Sequence, residues 1–109
     1  MSQSIAKPKL EVLAMPIKGC SYEQTWQAAF DTVCHQLDKN LKGLYEARFI
    51  EMFSPESFRY TEVMQRYQQG EIKDPVVLLD DEIILHGEKL SALKIRKRIS
   101  EKLAENESH

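Results

Sequence analysis

Two short apolar runs, Val76 to Leu79 and Ile83 to Leu85, are separated only by Asp80-Asp81-Glu82. Each run is too short for a stable helix, and the polar gap suits a reversal of direction, so the stretch Asp74 to Gly87 predicts a β-hairpin entered through Pro75. A hairpin is marginal by itself and needs a further strand and a covering layer. The chain has 109 residues, a length that buries roughly two-thirds of its unfolded surface in one core. The hairpin must therefore share that core with everything before and after it.

The preceding chain supplies the missing elements. Met1 to Pro8 is a short polar arm without a motif. Leu10 to Met15 is apolar on both faces of a two-residue period, with only Glu11 polar, as in a central strand covered on both sides. Pro16 to Gly19 predicts a loop at the carboxyl end of that strand, where open α/β sheets place their sites. Ser21 with Gln24 forms a capping-box pattern, and Trp26, Ala29, Phe30, Val33, Cys34 and Leu37 follow at helical spacing, predicting a helix over Tyr22 to Leu37. Tyr45 to Phe53 resumes extended character, so strand, helix and strand form a parallel crossover. Ser54-Pro55 opens a second helix, Pro55 to Gln69, with Tyr60, Val63, Met64 and Tyr67 on one face. After the hairpin, Ala92, Ile95, Ile99 and Leu103 mark a last helix over Ser91 to Ala104. The expected fold is a single α/β domain, β-α-β-α-β-β-α, with a four-stranded mixed sheet flanked by three helices and with 1–8 and 105–109 as loose ends.

Charge and composition narrow the function classes. A net charge of −2 gives no overall attraction to nucleic acid or an acidic membrane. Tyr60 and Tyr67 interleaved with Arg59 and Arg66 suit packing at helical spacing better than base stacking. No apolar run approaches the roughly 18 residues of a membrane span, and the first residues lack the apolar centre of a signal peptide. Cys20 and Cys34 do not make a disulfide framework, so a reducing cytoplasmic setting is expected. His35, His86 and His109 show no ligand spacing, which argues against a metal site.

Cys20 falls at the predicted loop-to-helix junction, where a helix terminus favours a thiolate. Cys34 lies on the apolar stripe and reads as a small packing residue. Some 14 residues along a helix span roughly 20 Å, beyond the reach of a disulfide, so any bridge at Cys20 would be to another molecule.

Cys20 at that junction, Asp74-Pro75-Val76 before the third strand and Gly87 after the fourth together resemble the thioredoxin-like superfamily. The run PVVLLDDEIILHG and the following Lys89-Leu90 are most similar to the YuzD-like group of small bacterial disulfide oxidoreductases. Leu41-Lys42-Gly43-Leu44-Tyr45 is similar to the KaiB clock proteins, which have the fold without the dithiol. The resemblance implies a cis Pro75 facing Cys20, with Asp74, Ser21, Tyr22 and Glu23 completing a binding face. It also marks a departure, because Cys20-Ser21-Tyr22-Glu23 has glutamate where the superfamily's Cys-x-x-Cys has its second cysteine. The expected function is a non-catalytic protein-binding or regulatory module that needs no cofactor. The alternative is a monothiol oxidoreductase using Cys20, with glutathione or a protein thiol as partner. Glu23 would oppose ionisation of that thiol if it came close.

Overall fold

The computed structural model describes residues 7–15 and 25–107. Among them, β1 (Lys9–Ala14), β2 (Glu46–Glu51), β3 (Val76–Leu79) and β4 (Glu82–His86) form a four-stranded mixed sheet in the order β2-β1-β3-β4. Helices α1 (Trp26–Leu41), α2 (Thr61–Gln68) and α3 (Ala92–Glu107) flank it, with a 3-10 turn at Pro55–Arg59. β1 runs parallel to β2, from Lys9 opposite Glu46 to Ala14 opposite Glu51. It runs antiparallel to β3, with Leu13 opposite Val76. The α/β class, the mixed sheet and the three helices match the expectation from sequence.

The apolar character of β1 on both faces follows from its position between two cores. Leu10 and Val12 point to one face and join Phe30, Val33, Leu37 and Leu41 of α1, Ile95 and Ile99 of α3, and Val77 and Leu79 of β3. Leu13 points to the other face, with Val63 and Met64 of α2 and with Ile50, Met52, Ile72, Val76 and Leu78. Ile95 and Ile99 are fully buried, and burying each such side chain contributes about 1.5–3 kcal/mol.

The hairpin forms as expected. Asp80 and Asp81 take φ of 51° and 71°, the left-handed pair that a tight two-residue reversal between twisted strands requires. Asp80 has a further role. Its backbone N–H donates to the Lys9 carbonyl (2.9 Å) and its carboxylate accepts from the Lys9 N–H (2.9 Å), so the turn also closes the end of the β1–β3 ladder.

All three helices differ from expectation at their boundaries. α1 starts at Trp26, because the Thr25 hydroxyl caps it by accepting from the Ala28 N–H (3.0 Å), and not at a cap on Ser21. It continues past Leu37 to Leu41, one further turn along the buried stripe, with Asp38, Lys39 and Asn40 exposed. The expected second helix is broken at Tyr60 (φ −100°, ψ 59°) into the 3-10 turn and α2. Here the fully buried Ser57 and the inward-pointing Tyr60 hydroxyl outweigh helix continuity. α3 begins at Ala92 with the Ser91 hydroxyl accepting from the Lys94 N–H (3.2 Å), and runs on to Glu107.

Candidate functional site

β1, β2, β3 and β4 bring together, at one end of the sheet, the chain just after Ala14, the chain after Glu51, the Asp74-Pro75 corner and Gly87. The Asp74–Pro75 peptide is cis, as the resemblance implies. Pro75 is buried, and its carbonyl accepts from the Gly87 N–H (3.1 Å). Gly87 has φ 73°, a left-handed conformation that glycine adopts without Cβ strain.

Asp74 ties this corner to two other elements. Its carboxylate accepts from the Met15 N–H (3.4 Å), just past the end of β1. It also faces the Tyr67 hydroxyl at the end of α2, whose pKa is raised first by burial and then by the charge and hydrogen bond of Asp74. Tyr67 in turn meets the Phe53 ring edge-on, with centroids 6.1 Å apart. Phe53 is a non-glycine residue with φ 67° and is 46% exposed. A bulky side chain in that conformation costs of order 1–3 kcal/mol and persists only where its surroundings impose it. Here the chain must leave β2 and enter the Ser54 cap, and the result is an aromatic ring standing in solvent beside Tyr67.

A second polar group lies on the α2 side of β1. Glu11, the single polar residue of the central strand, is 8% exposed and accepts a hydrogen bond from the Tyr60 hydroxyl. Burial first, and then Glu11, push the Tyr60 phenol up to about 12, against an opposing pull from Arg48. Arg48 is the cross-strand partner of Glu11 and pairs with Glu56. A cavity of about 150 Å³ lined by Lys9, Leu10, Glu11, Glu46 and Arg48 opens there. The charges lining it balance one another.

Of the residues expected from sequence to form the site, Asp74 and Pro75 form the corner before β3. Cys20, Ser21, Tyr22 and Glu23 lie outside the described residues. The cap at Thr25 starts α1 at Trp26, six positions after Cys20 in the sequence. Cys34 packs half-buried against the core. Burial raises its pKa, with smaller contributions from Asp38 and Asp31 and opposed by Tyr45, so it stays a neutral thiol. Met15, Phe53 and Tyr67 carry no sequence signal beyond that of strand or packing residues. The one available signal was Tyr67 closing the apolar face of its helix; nothing in the sequence marks the left-handed Phe53. No group of three or more His, Cys, Asp or Glu side chains among the described residues is arranged to hold a metal ion, and no described helix is long and apolar enough to cross a membrane.

No family model matches the sequence, and no curated protein matches it. The fold is similar to the crystal structure of a Staphylococcus aureus protein of unknown function, with a TM-score of 0.69 at 18% identity over 91% of this chain and 94% of that one. A likeness at that identity speaks to the fold alone.

Proposed function

We propose that this chain is a cytoplasmic, thioredoxin-like protein-binding module whose docking face is the sheet end around Asp74 and cis-Pro75. The observation that carries the reading is the exposed, left-handed Phe53 packed edge-on against Tyr67, which faces Asp74. Strain and an exposed aromatic ring at the same place fit a surface kept for recognition, since exposed aromatics anchor protein interfaces. The strand order and the cis-proline support the thioredoxin-like reading. The sequence departs from dithiol chemistry: Cys20 has no cysteine three residues on, and Cys34 lies within α1.

The test is the pH dependence of Cys20 alkylation, with Cys34→Ser silencing the other thiol. A midpoint near or above the free-thiol value of about 8.5, with no adduct from oxidised glutathione, is expected of a binding module. A midpoint well below that value together with a glutathione adduct would replace this reading with the monothiol oxidoreductase. In parallel, a photo-crosslinking residue at Phe53 should give a discrete protein adduct in cells that Asp74→Ala abolishes, and the same residue at Phe58 should not.

A further inference from the structure

Charged side chains withdrawn from water are usually paired. Among the described residues, Arg66, Arg96 and Arg98 are the half-buried arginines. Arg66 pairs with Glu71 (3.4 Å), and Arg98 reaches Glu101 (3.5 Å) and Glu82 (3.8 Å). The Arg96 guanidinium forms neither an ion pair nor a hydrogen bond with a described residue.

The packing of α3 on α1 explains where this unpaired charge sits. Ile95 and Ile99 bury against the core that Leu37 shares. That orientation turns Lys94, Lys97 and Arg98 toward β4 and leaves Arg96 on the side of α1. There Arg96 lines a cleft of about 240 Å³ with Gln36, Lys39 and Asn40 of α1, above the buried Leu37 and beside Leu93, which is 66% exposed. Gln36 lies three and four residues before Lys39 and Asn40, so the three share one face of the helix. Lys39 is exposed and forms no ion pair with a described residue. The lining thus holds two cations and two carboxamides and no acid. The acids nearest in sequence are engaged elsewhere: Asp38 accepts from the Tyr45 hydroxyl (2.9 Å), and Glu88 and Glu101 pair with Lys94 and Arg98 on the β4 side.

We propose that the α1–α3 cleft binds a small phosphomonoester, with its phosphate on Lys39 and Arg96. A guanidinium presents two parallel N–H groups to a pair of phosphate oxygens, and an ammonium adds a point charge. Together they match the charge of a phosphomonoester, about −1.5 to −2 at pH 7. The Gln36 and Asn40 carboxamides can both donate and accept, which suits hydroxyl groups on the body of the ligand. The cleft is smaller than the roughly 300–1,000 Å³ of pockets for drug-sized ligands, so the body is small. A nucleic acid fits less well, because its diester phosphates carry one charge each and the chain as a whole is at −2. The cleft shares no residue with the Asp74-Pro75 face, and the two proposals stand or fall separately.

The probe is glycerol 3-phosphate, titrated into the full chain at fixed ionic strength and followed by the backbone amide resonances. Saturable shifts are expected, confined to Gln36 to Asn40 and Ala92 to Arg96. Arg96→Gln should weaken binding by about tenfold or more, and Lys39→Gln by about fivefold. Lys97→Gln removes the same charge from the β4 side of α3 and should leave the affinity within about twofold. Lys39 and Lys97 are exposed, so their substitution should leave the circular dichroism unchanged. Arg96→Lys keeps the stem and the charge, and should recover part of the binding that Arg96→Gln loses. Glycerol should not bind, and dimethyl phosphate, with a single charge, should bind about tenfold more weakly than the monoester. Shifts that grow without saturation, an equal loss in Lys97→Gln, or equal binding of dimethyl phosphate would overturn the proposal. So would displacement of the probe by a short single-stranded RNA that binds more tightly.

Discussion

Replacing Tyr60 by Phe removes a single oxygen and tests how the polar part of this fold is held. The Tyr60 hydroxyl donates to a Glu11 carboxylate that is 8% exposed in the central strand. A hydrogen bond to a charged group contributes about 1.5–3 kcal/mol, and leaving the buried acceptor unpaired incurs its desolvation cost. Arg48 already pairs with Glu56 on the exposed side, so it offers only partial compensation. Tyr60→Phe should therefore cost about 2 kcal/mol at neutral pH. For a domain of this size each kcal/mol corresponds to a shift in Tm of roughly 4–8 °C. Urea unfolding followed by tryptophan fluorescence gives the free energy, and a double-mutant cycle isolates the pair. In a Glu11→Leu background the carboxylate is gone and Tyr60→Phe should cost less than about 0.5 kcal/mol, leaving most of the effect as coupling. A Tyr60→Phe loss below about 0.5 kcal/mol in the natural background, or equal losses in both backgrounds, would show that water satisfies Glu11 and that the reasoning is wrong.

Three other measurements follow from the structure. Tyr45, Tyr60 and Tyr67 all have raised pKa values, so between pH 10 and about 12 the unfolded chain releases phenolic protons that the folded chain retains. Stability should fall as pH rises through that window, and Tyr60→Phe should flatten the fall; a curve rising with pH there would contradict the assignment. Gly87→Ala would place a Cβ at φ 73°, 3.4 Å from the Lys73 Cβ, and should cost about 1 kcal/mol or more by thermal denaturation; an unchanged Tm would show that the turn relaxes freely. Cys34, half-buried with its pKa raised, should react with iodoacetamide at pH 8 much more slowly in the folded chain than in urea, as read by mass spectrometry in a Cys20→Ser background; equal rates would place it in solvent.

Much of the architecture was legible because it rests on local patterns. The double-faced apolar run of β1 identified the central strand, and the short runs around Asp80-Asp81 identified the hairpin. The stripes of α1 and α3 identified the helices of one face. Boundaries were less legible where competing caps lie close together. Ser21 and Thr25 both suit an N-cap, and α1 takes Thr25. In the second helix, the demand of Glu11 for a donor helps explain why the chain breaks at Tyr60, and that demand comes from a strand 49 residues away.

The candidate site divides along the same line. Asp74 and Pro75 could be found in the sequence because they sit next to a recognisable strand. The aromatic neighbours and the Met15 backbone could not, because they join Asp74 only through the meeting of β1, β2, α2 and the corner before β3. The sequence by itself determined the apolar stripes that build the two cores and the order in which strands and helices alternate, since period and turn chemistry act within a few residues. Tertiary structure alone decided that Phe53 would be left-handed and exposed, that Lys39 and Arg96 would line one cleft, and that Glu11 would meet Tyr60. Each of these depends on register between distant segments, and no local pattern encodes the energy of that pairing.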